Sequence, residues 1–167
     1  PFDLPLKLTE TGIKKIDEIC LHVFEALALI QSTGIPTYLF HEKNDLAKIQ
    51  FQYHSRPDAF AYVAKTAALL ADESLETFPR NTLLGSAYSP KTIGEVSSFL
   101  TPQNCIIFVL ASPKLTGVDP EFHEKWFGGE YAVRPIPSDW LQLLEAATPH
   151  HDIRLPEPNP FVPTELQ

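Results

Sequence analysis

The chain opens on a two-residue rhythm. In "FDLPLKLT", Phe2, Leu4, Leu6 and Leu8 fall on one side and Asp3, Pro5 and Lys7 on the other, the alternation of a strand with one apolar face. Pro5 has no N–H to give a ladder, so that side of the strand should be an edge. The rhythm then lengthens to that of a helix. Ile13, Ile16, Cys20, Val23, Phe24, Leu27 and Ile30 recur at helical spacing from a cap at Thr9 to a stop at Gly34 and Pro36. Pro36 opens a second helix with Leu39, Phe40, Leu46, Ala47 and Ile49 as its stripe. After "SRPD", a third helix, rich in alanine, carries Phe60, Val63, Ala67 and Leu70 inward. Ser89-Pro90 begins a fourth, with Ile93, Val96, Phe99 and Leu100 as its apolar side.

The pattern changes again at "NCIIFVLAS", a continuous run of β-formers that predicts a strand buried on both faces. Residues 130–135 alternate weakly and place Tyr131 and Val133 together on a second strand. A last helix, capped by Ser138, presents Trp140, Leu141, Leu144 and Ala147. Strands segregated from a run of helices predict an α+β fold, an antiparallel-rich sheet packed by several helices.

Composition sharpens the picture. Hydrophobic residues make up 44% of 167, enough to predict a real core. A net charge of −8 disfavours nucleic acid and anionic membranes as partners. The two cysteines, Cys20 and Cys105, lie in apolar segments and are expected to be buried free thiols. Free thiols favour the cytoplasm over the periplasm. The chain starts at Pro1, contains no methionine, and carries five of its sixteen prolines from Pro149 onward. It is therefore expected to be part of something longer, with residues 1–148 as a domain and 149–167 as a proline-rich connector.

The candidate chemistry is thin. Six histidines invite a search for zinc motifs, yet His41-Glu42 and His123-Glu124 are followed by Asp45 and Phe127 where HExxH needs its second histidine. "HVFEA" supplies His22 and Glu25 of the inverted motif HxxEH, with Ala26 in place of the last ligand. The neighbours His150, His151 and Asp152 sit in an irregular strap, where a preorganised shell is not expected. No phosphate loop or nucleophile elbow occurs. Catalytic and metal-binding residues are thus expected to be none. The most distinctive stretch is "EFHEKWFGGEYAVRPIP". Trp126 and Phe127 are expected to anchor a core, while Gly128 and Gly129 turn the backbone into a strand.

In collinear order, the first strand and helix, "YHSRPDAFAYVAK", "SPKTIGEVSSFLTPQNCIIFVLASP", "EKWFGGEYAVRPIPSDWLQ" and "LPEPNPFVPTEL" resemble one family. The chain looks like part of the insulysin–pitrilysin, or insulinase-like, zinc metallopeptidases, from the latter part of their second (middle) domain to the connector before the third. Glu124, Trp126, Phe127, Gly128 and Tyr131 carry the most specific structural motif, with the strap "PNPFVPT" beside it. The resemblance implies a metallohydrolase-like half domain, one of four α+β domains around a closed chamber, with zinc held by an HxxEH in the first. It implies peptide substrates as partners, other domains of the same chain as neighbours, and a sheet edge near Phe2 and Leu4 that adjoins bound peptide.

The function this predicts is a non-catalytic domain of a zinc metalloendopeptidase. Such a domain would form part of the substrate chamber wall, help to position peptides for hydrolysis, and be inactive alone, with zinc belonging to the parent enzyme. The alternative is a stand-alone interaction or assembly module that kept the fold without peptidase activity, its proline strap a docking tail. A third reading is a metal-dependent enzyme built on His22, His123, His150 or His151.

Overall fold

The computed structural model describes residues 2–53, 55, 58–71, 73–84 and 87–163. Parts of the expected "SRPD" turn, at 56–57, and the last residues of the expected connector, at 164–167, lie outside them. The described chain is mostly helical and forms two compact units. One comprises the segments up to Thr33 and Gly94–Arg154; the other comprises Gly34–Ile93 and the segment from Leu155.

In the first unit, Thr9 caps a short helix, α1 (Glu10–Ile13), by accepting the Gly12 amide at 3.1 Å. The chain then pauses at Lys14–Lys15 and resumes as α2 (Ile16–Thr33). Gly34, at φ +73°, ends that helix with a left-handed turn that a side chain would resist. The unit is completed by the end of α6 (Pro90–Ser98), a 3₁₀ turn at Pro102–Asn104, α7 (Pro113–Thr116), a small hairpin and α8 (Ser138–Glu145). Ser138 is the first residue of α8 rather than its cap; Pro137 holds the capping position and gives no side-chain bond. Helix α8 packs on α2 and on the 3₁₀ turn, and α7 packs on α1. The Gln31 side chain ties the end of α2 to α6 by donating to the Ser97 carbonyl at 2.8 Å.

The second unit contains α3 (Thr37–Gln52), α4 (Ala59–Leu69) and α5 (Arg80–Leu84). Asp58 caps α4 through the Ala61 amide at 2.9 Å. Tyr88 donates to the Ile35 carbonyl at 2.6 Å and sets its ring 5.2 Å from that of Phe40. The described part of the proline strap lies along α3. Tyr38 donates to the Pro156 carbonyl, and the Asn159 amide donates to Glu42 at 2.8 Å.

Three expectations fail here. The anticipated strands at 2–8 and 104–112 do not form: 2–8 and 105–112 are neither strand nor helix, Asn104 ends the 3₁₀ turn, and the only sheet among the described residues is β1 (Phe122–His123) paired antiparallel with β2 (Glu130–Tyr131). A strand needs a partner for its amides, and apolar alternation alone supplies none. The expected core is also small. Leu144, at 2% exposure, is the buried large hydrophobic side chain among the described residues, joined only by Pro102. Phe60 and Val63 of α4, and Val96 and Phe99 at the end of α6, face solvent instead of inward. Two small units bury a smaller share of their surface than one domain of the same length. Finally, Cys20 and Cys105 are free but only half-buried. Partial desolvation still raises both thiols above their ordinary pKa, which keeps them protonated and unreactive near neutrality.

Because Leu144 is the most enclosed apolar group, Leu144→Ala is expected to cost about 2–5 kcal/mol. Urea unfolding followed by circular dichroism checks this. A variant as stable as the parent would place the stability of this unit elsewhere.

Candidate functional site

The hairpin carries the most distinctive sequence motif, and local bonds build it. The register pairs Phe122 with Tyr131 and His123 with Glu130. The rings of Phe122 and Tyr131 stack at 5.3 Å, a cross-strand contact that fixes the pairing. Outside the ladder, Arg134 grips Glu121 with two bonds of 2.7 and 2.8 Å, the bidentate geometry that a guanidinium favours. That grip lowers the Glu121 pKa and raises that of Arg134.

Glu124 organises the loop. Its two carboxylate oxygens accept the amides of Trp126 at 2.8 Å and Phe127 at 2.5 Å, while its own amide donates to the Gly129 carbonyl at 2.6 Å. Gly128, at φ +72°, makes the left-handed step that returns the chain to β2. The motif residues Glu124, Gly128 and Tyr131 are therefore loop clamp, hinge and ladder partner. The two aromatics between them do not anchor a core, as the sequence suggested. Trp126 is 78% exposed and Phe127 97% exposed, with Lys125 Nζ 4.7 Å above the indole. Carboxylate and glycine chemistry suffices to close this loop, so its apolar side chains are left to project.

The other sequence candidates are scattered. Phe2 and Leu4 are exposed on a segment without ladder partners among the described residues. His22 Nδ1 lies 2.7 Å from Glu25 Oε2, so the two groups of the incomplete HxxEH bond each other. Glu42 is engaged by the strap and Glu124 by its loop. With Ala26 at the second ligand position and Glu25 bonded to His22, these residues do not fit a catalytic zinc centre. An open cleft of about 190 Å³ between α2, the 3₁₀ turn and α8 is lined by Phe24, Leu27, Gln31, Pro102 and Leu144. One grouping was missed in the sequence: the rings of His22 and His150 approach to 5.9 Å, although 128 positions separate them (150 minus 22). Local spacing carries no signal for such a contact.

Comparison with known proteins decides the family. The family model for the middle or third domain of peptidase_M16 matches residues 51–167. This chain belongs to the M16 peptidases. It is 26% identical over 166 residues to nardilysin of Pongo abelii and 26% identical over 171 residues to insulin-degrading enzyme of Mus musculus, covering 99% of this chain each time. To the peroxisomal insulin-degrading enzyme-like 1 of Arabidopsis thaliana it is 27% identical over 170 residues, again covering 99% of the chain. These matches take up only 14%, 16% and 17% of the relatives' own lengths. The crystal structure of pitrilysin superposes with a TM-score of 0.75 at 27% identity, over 95% of this chain and 16% of that one. M16 peptidases are in general zinc enzymes that degrade peptides with a chain of several domains. No single helix among the described residues is long and apolar enough to cross a membrane.

Two outcomes follow from the hairpin. The amides of Phe127 and then Trp126 hold the Glu124 carboxyl below its ordinary pKa. A lowered folded-state value means that the clamp is fully present above the ordinary glutamate range and is lost as pH falls through the lowered value. Protection of the Trp126 and Phe127 amides, taken relative to the intrinsic exchange rate at each pH, should therefore fall in acid, and Glu124→Gln, which offers one acceptor instead of two, should lower it at neutral pH as well. Equal protection in that variant would remove the clamp. Trp126→Ala, in contrast, should change stability by less than about 0.5 kcal/mol, as for other exposed positions. A large drop in the unfolding midpoint would show that the indole is packed after all.

Proposed function

We propose that this chain is a non-catalytic domain of an M16 metalloendopeptidase that forms part of the wall of a substrate chamber and helps to position peptides. The observation that carries the reading is the surface left open around the segments expected to be strands. Ile106 is 79% exposed, Phe108 88%, and Leu110 fully so, and Phe2, Leu4 and Leu6 of the first segment are exposed as well. Apolar segments without ladder partners are edges to which extended chain adds. In this reading, neighbouring domains of the same polypeptide cover Ile106, Phe108 and the Trp126–Phe127 pair. The first segment, with Phe2 and Leu4, adjoins the bound peptide. The match to 14–17% of the relatives' length supports a part that works inside a larger chain.

Residues 149–167 act as the connector to the following domain. The bonds from Tyr38 and Glu42 to the strap favour a connector laid along its own domain over a free docking tail. The acidic surface tolerates basic and neutral peptides. Zinc and the attack on the scissile bond are assigned to the parent enzyme outside these residues.

Two measurements on the isolated chain test this. A quenched fluorescent peptide should stay intact with or without added zinc, and cleavage that survives removal of contaminating proteases overturns the non-catalytic role. Titration with an unstructured peptide should move the backbone resonances of residues 2–8. Shifts confined to other segments would overturn the edge.

A further inference from the structure

Sequence position argued against a metal at His150, His151 and Asp152, because neighbours in an irregular strap tend to diverge. The fold removes that objection. The Ile153 amide donates to the His150 carbonyl at 3.0 Å and closes a turn, inside which the Asp152 amide donates to His150 Nδ1 at 3.2 Å. The turn folds the three side chains onto one another. One donor atom from each lies within 4.8 Å of the others, and the two imidazole rings are 4.3 Å apart.

The individual spacings suit a metal. His151 Nε2 is 3.2 Å and His150 Nδ1 is 3.9 Å from Asp152 Oδ2. Donors about 2.0–2.1 Å from a tetrahedral zinc are about 3.3 Å from each other. Of these two only the second has to shorten, and the two imidazole donors, within 4.8 Å of each other, close with it. His150 Nδ1 already acts as an acceptor, so its lone pair faces inward and needs only to exchange a long amide contact for the ion.

Helix α2 brings a third imidazole, the fourth donor. The His22 ring stands edge-on to His150 at 5.9 Å, and its Nδ1 is held by Glu25, whose side chain is 13% exposed. A carboxylate on one ring nitrogen fixes the ring and leaves Nε2 as the donor, which is how metal-binding histidines are oriented. The two arrangements that the sequence offered separately thus meet in one unit.

We propose that His150, His151 and Asp152 form a surface site for a divalent zinc-like ion, with His22, oriented by Glu25, as its fourth donor. A set of imidazoles and one carboxylate selects zinc, copper or nickel over magnesium and calcium. Bound there, the ion links the turn after α8 to the face of α2. Its role is structural, a tie between two elements of one unit.

The test uses the full 167-residue chain without a polyhistidine tag. Zinc chloride titrated by calorimetry should bind with one-to-one stoichiometry, and cobalt(II) should give the intense visible bands of a tetrahedral centre. Affinity should fall about tenfold or more in His151→Ala and Asp152→Asn and by a smaller factor in His22→Ala, while His41→Ala binds as the parent does. Zinc should also raise the melting temperature of the parent, and by less in His22→Ala. Circular dichroism of each variant confirms unchanged helix content, as exposed positions should allow. No saturable binding at millimolar zinc overturns the site, as does undiminished affinity in the His150→Ala/His151→Ala double variant. Parent-like binding by His22→Ala overturns the fourth donor.

Discussion

The contact that organises the first unit is the burial of Leu144 where α8 meets α2 and the 3₁₀ turn. One side chain enclosed on all sides gives directionality that partly exposed neighbours lack, because each methyl group has close partners to lose. Pro102, the other buried residue among those described, lies in the turn that α8 touches, so the two enclosed groups belong to one junction. From that junction α2 extends toward His22, and the segment after α8 runs to the turn that carries His150 and His151. The proposed ion would add a second tie between the same two elements, in a unit whose apolar enclosure is otherwise slight.

The hairpin follows a different logic. Phe122 and Tyr131 stack, Arg134 holds Glu121, and Glu124 satisfies two amides in its own loop. These bonds are local in sequence and almost wholly solvated, so each contributes modestly, and the hairpin owes its shape to several of them acting together. A loop closed this way has its aromatic residues free for contact with something else. That separation of roles, polar groups for closure and apolar groups for display, explains why glutamate, glycine and tyrosine accompany the Trp–Phe pair in one short motif.

Much of the helical framework was legible in the sequence. Thr9, Gly34, Asp58 and Ser89-Pro90 mark helix ends by short-range chemistry, and the structure places ends within a residue or two of each. The short α5 was missed because five residues after an irregular loop carry no full apolar period. The strands failed for another reason. Apolar alternation at Phe2–Leu8 states which face wants burial, and it cannot state which strand will pair. The same limit misplaced Trp126: hydrophobicity predicts a wish for cover, and the covering surface is not encoded nearby. The candidate site divides likewise. The roles of Glu124 and Gly128 lie in local geometry, whereas the meeting of His22 with His150 depends on how α8 docks. The family resemblance, by comparison, rested on collinear motifs along the whole length, and the match over residues 51–167 agrees with it.

The two units are interleaved along the chain: each is assembled from segments on either side of a long excursion. On a ribosome that order has a cost in time. Helix α2 leaves the exit tunnel well before α8, and Tyr38 well before Pro156, so each half must wait for its complement through many elongation steps. Nascent α2 therefore spends that interval without the cover that α8 provides. Arrival of the proline strap, rather than of any helix, is the event that closes the second unit.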